Sequence, residues 1–193
     1  MAQVVLFHHV LGLTEGIVAF ADELRGAGHV VHTPDLFDEA RFATIDDGIS
    51  HADSIGTPTL LARAADAIDG LGADLVYGGF SMGVVPAETL ALSRPGARGV
   101  LCYYGGIPPE MLELTWPEGL RAQIHTMDGD PFGDQEFSAQ MAAEIPTVTY
   151  FEYPGTAHLF CDSSTGDYDD AACAIVLART LEFLDAVGRS ART

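Results

Sequence analysis

The amino-acid sequence predicts an α/β protein with a doubly wound, mostly parallel sheet of about six strands. Short apolar runs alternate with amphipathic stretches along the whole chain. The runs Val4–Phe7 and Val100–Tyr103 are almost continuously apolar, which is typical of strands buried on both faces. A strand followed by a helix returns through a crossover connection, and crossovers build parallel sheets covered by helices. Because no internal repeat or linker interrupts the pattern, we expect residues 1–193 to form one domain.

Apolar spacing and helix-breaking residues define the elements of the first half of the chain. The expected elements are a strand at Gln3–Phe7, a helix at Ile17–Arg25, a strand at Val30–Thr33, a helix at Pro58–Leu71 and a strand at Ala73–Tyr77. Gly26 and Gly28 end the first helix, and Pro34 stops the second strand. Residues 38–57 are largely polar, and no element is predicted there.

The second half of the chain continues the same alternation. The expected elements are a helix at Met82–Leu92, strands at Gly99–Tyr104 and Arg121–Met127, a helix at Gln135–Ala143, a strand at Thr147–Tyr153 and a helix at Ala171–Val187. In sheets of this kind the ligand site lies at the carboxyl ends of the strands. We therefore expect the functional residues in the loops that directly follow the strands.

The charge composition excludes several classes of partner and enzyme. Acidic residues number 28 and basic residues 9, which gives a formal net charge of −19 at pH 7. This excess repels phosphate backbones and anionic headgroups, so we expect neither nucleic acid nor a membrane as partner. All nine basic residues are arginine. Without lysine the chain lacks a Walker-type phosphate loop, a Schiff-base lysine and a pyridoxal phosphate site.

The cysteine and histidine spacing contains no metal or cofactor pattern. Cys102, Cys161 and Cys173 lack CxxC spacing, so neither a disulfide framework nor a zinc knuckle is indicated. Adjacent side chains on a strand point to opposite faces, which argues against a metal pair at His8 and His9. The first residues do not resemble a secretory signal, and no apolar run reaches the length of about 18 residues that a membrane span needs. We expect a cytoplasmic monomer or homodimer without metal or cofactor.

One strand-to-helix loop carries the catalytic motif G-x-S-x-G, in Gly79-Phe80-Ser81-Met82-Gly83. The motif forms a sharp turn that lifts the serine hydroxyl clear of the sheet, and the small flanking residues let neighbouring backbone pass. The helix after the turn points its N–H groups at developing negative charge. The pattern predicts a nucleophile at Ser81; the alternative is a glycine-rich turn with a serine N-cap.

A serine nucleophile needs a histidine base and a carboxylate that orients the base. Only His125 and His158 follow Ser81 in the chain, and His125 lies inside a predicted strand. His158 lies in the loop after the sixth strand, so it is the expected base. The acid is expected after the fifth strand, where three candidates lie: Asp128, Asp130 and Asp134. Spacing alone does not separate the first two of them.

Six segments carry further motifs, namely LFHHVLGL (6–13), TPDLF (33–37), GFSMG (79–83), YYGG (103–106), HTMDGDPF (125–132) and YPGTAH (153–158). In this order they resemble the dienelactone hydrolase family of α/β-hydrolases, over about residues 3–187. The resemblance implies the compact α/β-hydrolase fold. It assigns the acid to Asp130, because in the family the catalytic acid is the last residue of an H-x-x-x-x-D stretch, which here runs from His125 to Asp130. It also implies an oxyanion hole formed by the N–H groups of Val10 and Met82.

The chain departs from the best-known members of this family at three positions. Those members have a cysteine at the position of Ser81, a glutamate at the position of His9 and an arginine at the position of Asp162. A serine hydroxyl does not ionise unaided, so Ser81 depends on His158 for its deprotonation. Asp162 is expected to lie near the site and to repel an anionic substrate.

The resemblance and the strand-end positions also suggest which residues line the substrate pocket. The expected lining residues are His9, Phe37, Tyr103, Phe132, Leu159 and Phe160. A carboxylated substrate would need an arginine clamp, for which Arg63 is the candidate. Glu88 is interpreted as a surface or interhelix charge.

These observations predict a hydrolase that cleaves small, uncharged esters or lactones through an acyl-enzyme, with Ser81, His158 and Asp130 as its triad. Two alternatives stay open. The first is a non-catalytic ligand-binding relative that keeps the pocket. The second is an acyltransferase that uses the same triad on an acceptor other than water.

Overall fold

Six strands and six α-helices make up the fold of residues 1–189, the part of the chain that the computed structural model describes. The strands are β1 (Gln3–Phe7), β2 (Val30–His32), β3 (Leu75–Phe80), β4 (Gly99–Tyr103), β5 (Ala122–Met127) and β6 (Val148–Tyr153). The helices are α1 (Glu15–Gly26), α2 (Ile45–Ile55), α3 (Thr57–Ala67), α4 (Val84–Ser93), α5 (Gln135–Glu144) and α6 (Asp170–Arg189).

All of these strands are parallel, and they pair in the order β2-β1-β3-β4-β5-β6. The chain starts at β1, adds β2 on one side and then returns to add β3 on the other side. This reversal creates a crevice at the carboxyl ends of β1 and β3, the place where open parallel sheets bind ligands. The predicted doubly wound parallel sheet is confirmed. No helix within residues 1–189 is both long enough and apolar enough to span a bilayer.

The two faces of the sheet bury different sets of side chains. On β1, Val4 and Leu6 pack into a core shared with α1 and α6. Val5 and Phe7 point the opposite way, into a core shared with α3, α4 and α5. This alternation follows from the two-residue period of a strand. Helices therefore cover both faces, which explains why the strands are almost continuously apolar.

Two elements differ from the sequence-based prediction. Helix α2 lies within the segment for which no element was predicted, and Gly48 is its only buried residue. Its apolar residues Ile45, Ile49, Ala52 and Ile55 lie at helical spacing, but they are only partly buried or exposed, and polar residues outnumber them, so the segment resembles a loop by composition. Strand β3 continues beyond Tyr77, because Gly78 and Gly79 still pair with β1 although they contribute no side chain to the apolar pattern.

An aromatic stack runs across four strands near their carboxyl ends. Phe80, Tyr103, His125 and Phe151 occupy matching positions on β3, β4, β5 and β6. Successive ring centroids lie 4.4, 5.6 and 5.2 Å apart, with nearly parallel planes. Burial within this stack lowers the pKa of His125 to about 3, so this histidine is neutral at physiological pH. His125 therefore serves as part of the core that supports the strand ends.

Candidate active site

Ser81 lies at the sharp turn between β3 and α4. Its φ angle is 51°, in the left-handed region that residues with a side chain rarely adopt. A short 3-10 turn over Ser81–Gly83 links the strand to the helix. A Cβ on Gly79 would overlap the Gly83 carbonyl, and one on Gly83 would come within 2.5 Å of the Phe7 carbonyl oxygen. The motif glycines are therefore required by the close approach of backbone on both sides of the turn.

His158 and Asp130 complete a continuous hydrogen-bonded chain from Ser81. His158 Nε2 lies 2.8 Å from Ser81 Oγ, and His158 Nδ1 lies 2.6 Å from Asp130 Oδ2. With Nδ1–H donating to the carboxylate, Nε2 is left to accept the serine proton. The other Asp130 oxygen accepts from the Phe132 N–H at 2.9 Å. His158 and Asp130 are each only 4% exposed, so water does not compete for these contacts.

The structure separates the two aspartates that spacing left open. Asp128 is exposed, and its Oδ1 accepts from the Gly155 N–H at 3.0 Å. It therefore joins the loops after β5 and β6 without touching His158. Asp130 alone of the two hydrogen-bonds the imidazole. Gln135 adds a second support, because its amide donates to the Asp130 carbonyl oxygen at 2.8 Å.

The backbone N–H groups of Val10 and Met82 are available for a ligand. Within residues 1–189, neither group donates to a side chain or to backbone outside its own helical turn. The loop after β1, which carries Val10, lies beside the turn at Ser81 because Phe7 pairs with Gly79. Unused N–H donors beside a nucleophile are the feature that an oxyanion hole requires.

His9 does not lie where the sequence predicts. We expected a polar contact at the mouth of the site, but the side chain is fully buried and its Nε2 lies 2.8 Å from Asp162 Oδ2. The Leu11 N–H donates to His9 Nδ1 at 3.2 Å, so the ring proton resides on Nε2. His9 therefore bridges two loops from inside the protein.

Asp162 is likewise buried and does not line a pocket, which corrects the expectation that it faces the substrate. Oδ2 accepts from His9 and from the Thr14 hydroxyl, and Oδ1 accepts from the N–H and hydroxyl of Ser164. Burial raises the pKa of Asp162, but these hydrogen bonds outweigh it and lower the pKa to about 2. The carboxylate is thus ionised and fully occupied by protein donors.

Phe132 is the one exposed side chain among the six predicted pocket residues. It is 51% exposed, and its ring centroid lies 5.4 Å from that of His158. The remaining five are buried in the cores: His9, Phe37, Tyr103, Leu159 and Phe160. Tyr103, for example, points away from the site, and its hydroxyl lies 3.0 Å from that of Thr180. Buried strand and loop aromatics are thus mostly core, because the sheet needs apolar side chains on both faces.

Tyr104 supports the base, although sequence reasoning did not single it out. It adopts φ of 78°, and its ring centroid lies 5.3 Å from that of His158. Its hydroxyl accepts from the Cys161 N–H at 3.0 Å. Tyr104 therefore contacts the loop of His158 at two points. Its place in the YYGG segment was the only sequence signal that could have identified it.

The arginines near the carboxyl edge are engaged elsewhere. Arg63 binds Asp38 at 2.8 Å and donates to the Leu36 carbonyl oxygen at 2.5 Å. Arg41 binds Asp35 at 3.0 Å. Arg63 is thus held by its own loop contacts and does not reach the triad. Residues 1–189 also contain no group of three or more His, Cys, Asp or Glu side chains placed to hold a metal ion.

Comparison with known proteins places the chain in a family. The model of the dienelactone hydrolase family matches residues 1–188. The fold is similar to that of a dienelactone hydrolase-like promiscuous phosphotriesterase, P91, from metagenomic libraries (TM-score 0.81, 19% identity, 97% of this chain and 87% of that chain). It is also similar to esterase PE8 (TM-score 0.65, 20% identity, 94% and 92%). No curated protein gives a significant sequence match. The chain belongs to the dienelactone hydrolase family.

Proposed function

We propose that this protein hydrolyses small, uncharged esters or lactones with Ser81 as nucleophile. The observation that carries the proposal is the hydrogen-bonded chain from Asp130 through His158 to Ser81, located at a strained strand-to-helix turn. Nucleophile, base and orienting acid are the three parts that an acyl-transfer triad needs. The family and its esterase neighbours agree with hydrolysis of an ester bond.

In the proposed reaction, Ser81 Oγ attacks the carbonyl carbon while its proton passes to His158 Nε2. The negative charge that forms on the carbonyl oxygen is held by the N–H groups of Val10 and Met82. As the intermediate collapses, the carbon–oxygen bond to the alcohol breaks, and His158 gives its proton to the leaving oxygen. Water then attacks the acyl-enzyme with His158 as base, which releases the acid and restores Ser81. Asp130 remains ionised and stabilises the imidazolium.

Charge and space near the nucleophile support an uncharged, short-acyl substrate. The net charge of −19 creates a repulsive field for anions, and Arg63 and Arg41 are paired with aspartates. An apolar cavity of about 40 Å³ borders Met82 and is otherwise lined by Leu36, Thr57, Leu60, Leu61, Val85 and Pro86. In this proposal the small apolar cavity beside the nucleophile turn receives the acyl group, which favours short acyl chains.

Two rival functions use the same site differently. A ligand-binding relative would need the pocket but not a nucleophile–base–acid chain with unused N–H donors beside it. An acyltransferase would form the same acyl-enzyme and pass the acyl group to an alcohol or amine. Product analysis of an ester reaction with a competing alcohol separates transfer from hydrolysis.

The deciding experiment combines a serine probe with one substitution. We expect a fluorophosphonate to label Ser81 covalently, and we expect Ser81→Ala to abolish both labelling and the hydrolysis of p-nitrophenyl acetate. Ser93→Ala is the matched control, because Ser93 is the last residue of α4, the helix that follows Ser81, and its hydroxyl donates to the Thr89 carbonyl oxygen. An unlabelled parent, or a Ser81→Ala variant as active as the parent, would refute the proposal.

A further inference from the structure

We propose that His9 and Asp162 are positioning residues that tie the loop of the oxyanion hole to the loop of the catalytic base. The oxyanion loop is defined as residues 8–14, and the base loop as residues 154–165. The inference rests on the proposed function for its catalytic consequence, whereas the tie itself is a structural property. Neither side chain takes part directly in the proposed reaction steps.

The pair joins segments that are far apart in sequence. His9 Nε2 donates to Asp162 Oδ2 across 2.8 Å, and 153 positions separate the two residues. His9 directly precedes Val10, one of the proposed oxyanion donors, and Asp162 follows His158 by four residues. A single contact thus connects the donor of one loop with the base of the other.

On the oxyanion loop, His9 organises the backbone around Val10. The His9 carbonyl oxygen accepts from His8 Nδ1 at 2.7 Å and from the Gly12 N–H at 3.0 Å. His9 Nδ1 accepts from the Leu11 N–H. These three contacts hold the chain on both sides of Val10, and the one through Nδ1 depends on the ring, so a change of the His9 side chain would loosen the backbone that carries the Val10 N–H.

On the base loop, Asp162 provides an anchor that cannot shift easily. Its two oxygens accept four hydrogen bonds, and the side chain is 0% exposed. The Thr14 hydroxyl that donates to Asp162 also caps α1 by accepting from the Ile17 N–H at 3.3 Å. A Cβ on Gly16 would overlap the Asp162 carboxylate, so α1 packs directly against it. The carboxylate therefore lies at a helix N-terminus, where negative charge is favoured.

The two side chains also depend on each other for their hydrogen bonding. Both are fully buried, and each is a hydrogen-bond partner of the other. A buried carboxylate without its histidine donor, or the histidine without its acceptor, would be costly. The two residues thus act as one unit.

The tie is tested by hydrogen exchange on the folded protein. We expect His9→Leu and Asp162→Asn each to accelerate amide exchange in both loops, including the loop that carries no substitution. His9→Gln keeps an N–H donor within reach of Asp162, so its exchange should match the parent. His29→Leu is the control: His29 is also buried and accepts from a backbone N–H, but it lies at the amino end of β2, whereas both loops follow the carboxyl ends of strands. Faster exchange confined to the substituted loop would overturn the tie.

The catalytic consequence is tested by steady-state kinetics with a short neutral ester. Because one oxyanion donor is worth about 10²-fold or more in kcat, we expect kcat to fall by about 10- to 100-fold in His9→Leu and Asp162→Asn. KM should change by less than about twofold, since the oxyanion contact exists only in the transition state. His9→Gln should restore kcat to within about threefold of the parent by keeping the donor.

The outcomes separate this inference from the proposed function. If the parent is active and His9→Leu retains its kcat, the positioning role is wrong while the serine mechanism stands. If the parent is neither labelled nor active, the proposed function is wrong, and the exchange experiment still decides the tie. Asp162→Asn keeps the shape of the buried side chain. If His9→Leu does not fold, amide exchange and kcat are therefore measured on Asp162→Asn.

Discussion

The thiol of Cys102 on β4 lies 3.2 Å from Oε1 of Glu88 on α4, and both side chains are fully buried. The same oxygen accepts from the Ile107 N–H at 3.2 Å, whereas Oε2 has no partner within residues 1–189. The interpretation of Glu88 as a surface or interhelix charge is therefore wrong. Its helix packs against the sheet, against α3 and against the loop after β4, which leaves Glu88 no route to water.

Glu88 predicts a pH-dependent stability. Burial raises its pKa to about 7 and outweighs the hydrogen bonds from Ile107 and Cys102. The stabilisation associated with the neutral carboxyl is complete below the unfolded pKa of 4.5 and is lost as the pH rises through about 7. We expect Glu88→Gln to remove this loss, worth up to about 3 kcal/mol of unfolding free energy at about pH 8.5.

Urea unfolding at about pH 5 and about pH 8.5 measures this effect. The exposed Glu182→Gln on α6 is the control and should keep the pH slope of the parent. An equal pH slope in Glu88→Gln and in the parent would show that Glu88 is not the group responsible.

The choice of Asp130 over Asp128 gives a second prediction. An amide at position 130 cannot stabilise the imidazolium and favours the wrong tautomer of His158, so kcat of Asp130→Asn should fall by about 10⁴-fold. Asp128→Asn keeps the oxygen that accepts from Gly155, so its kcat should change by less than about tenfold. Side-by-side kinetics of the two folded variants decide, and a larger loss in Asp128→Asn would reverse the assignment.

The turn at Ser81 gives a third prediction. A methyl group on Gly83 would lie 2.5 Å from the Phe7 carbonyl oxygen and 2.7 Å from that of His8. Because both contacts are backbone, we expect Gly83→Ala to lower the unfolding free energy by about 1–3 kcal/mol and to reduce activity.

Gly26→Ala is the matched control for this substitution. Nothing lies within 4 Å of a Cβ at that position, and alanine favours the helix, so stability should stay equal or rise. Thermal unfolding of both variants measures the difference. A Gly83→Ala variant as stable as Gly26→Ala would mean that the turn has room for a side chain.

The sequence predicted the fold through its strands. Runs such as Val4–Phe7 are apolar on both faces, so they signal strands wherever helices cover the sheet. Helix α2 was not predicted because polar residues outnumber its four apolar ones, none of which is fully buried. The end of β3 was placed too early because Gly78 and Gly79 pair through backbone alone.

The site was predictable to the extent that its chemistry is local. Ser81 lies in a contiguous motif, and His158 follows from the order of elements. The choice of Asp130 over Asp128 required the resemblance to the family, because spacing alone did not separate them. The contact between His9 and Asp162 spans 153 positions and depends on how two loops pack. No periodicity or spacing reports such a contact, which is why both residues were expected to face the substrate.

Substrate charge gives the fourth prediction. We expect kcat/KM for a neutral short-chain ester to exceed that for its carboxylated analogue, because the field of the protein is strongly negative and Arg63 is held by Asp38. Rates for the anion should rise with salt, since the Debye length falls from about 10 Å at 0.1 M to about 3 Å at 1 M.

The neutral ester is the internal control for the salt series, because screening does not alter its encounter with the enzyme. If both substrates respond equally to salt, the effect is on the protein and not on substrate charge. A tenfold or larger advantage for the anion, equal to about 1.4 kcal/mol of transition-state free energy, would contradict the prediction. Such a result would require an arginine to leave its aspartate partner and bind the substrate carboxylate, and Arg63 would be the first residue to substitute.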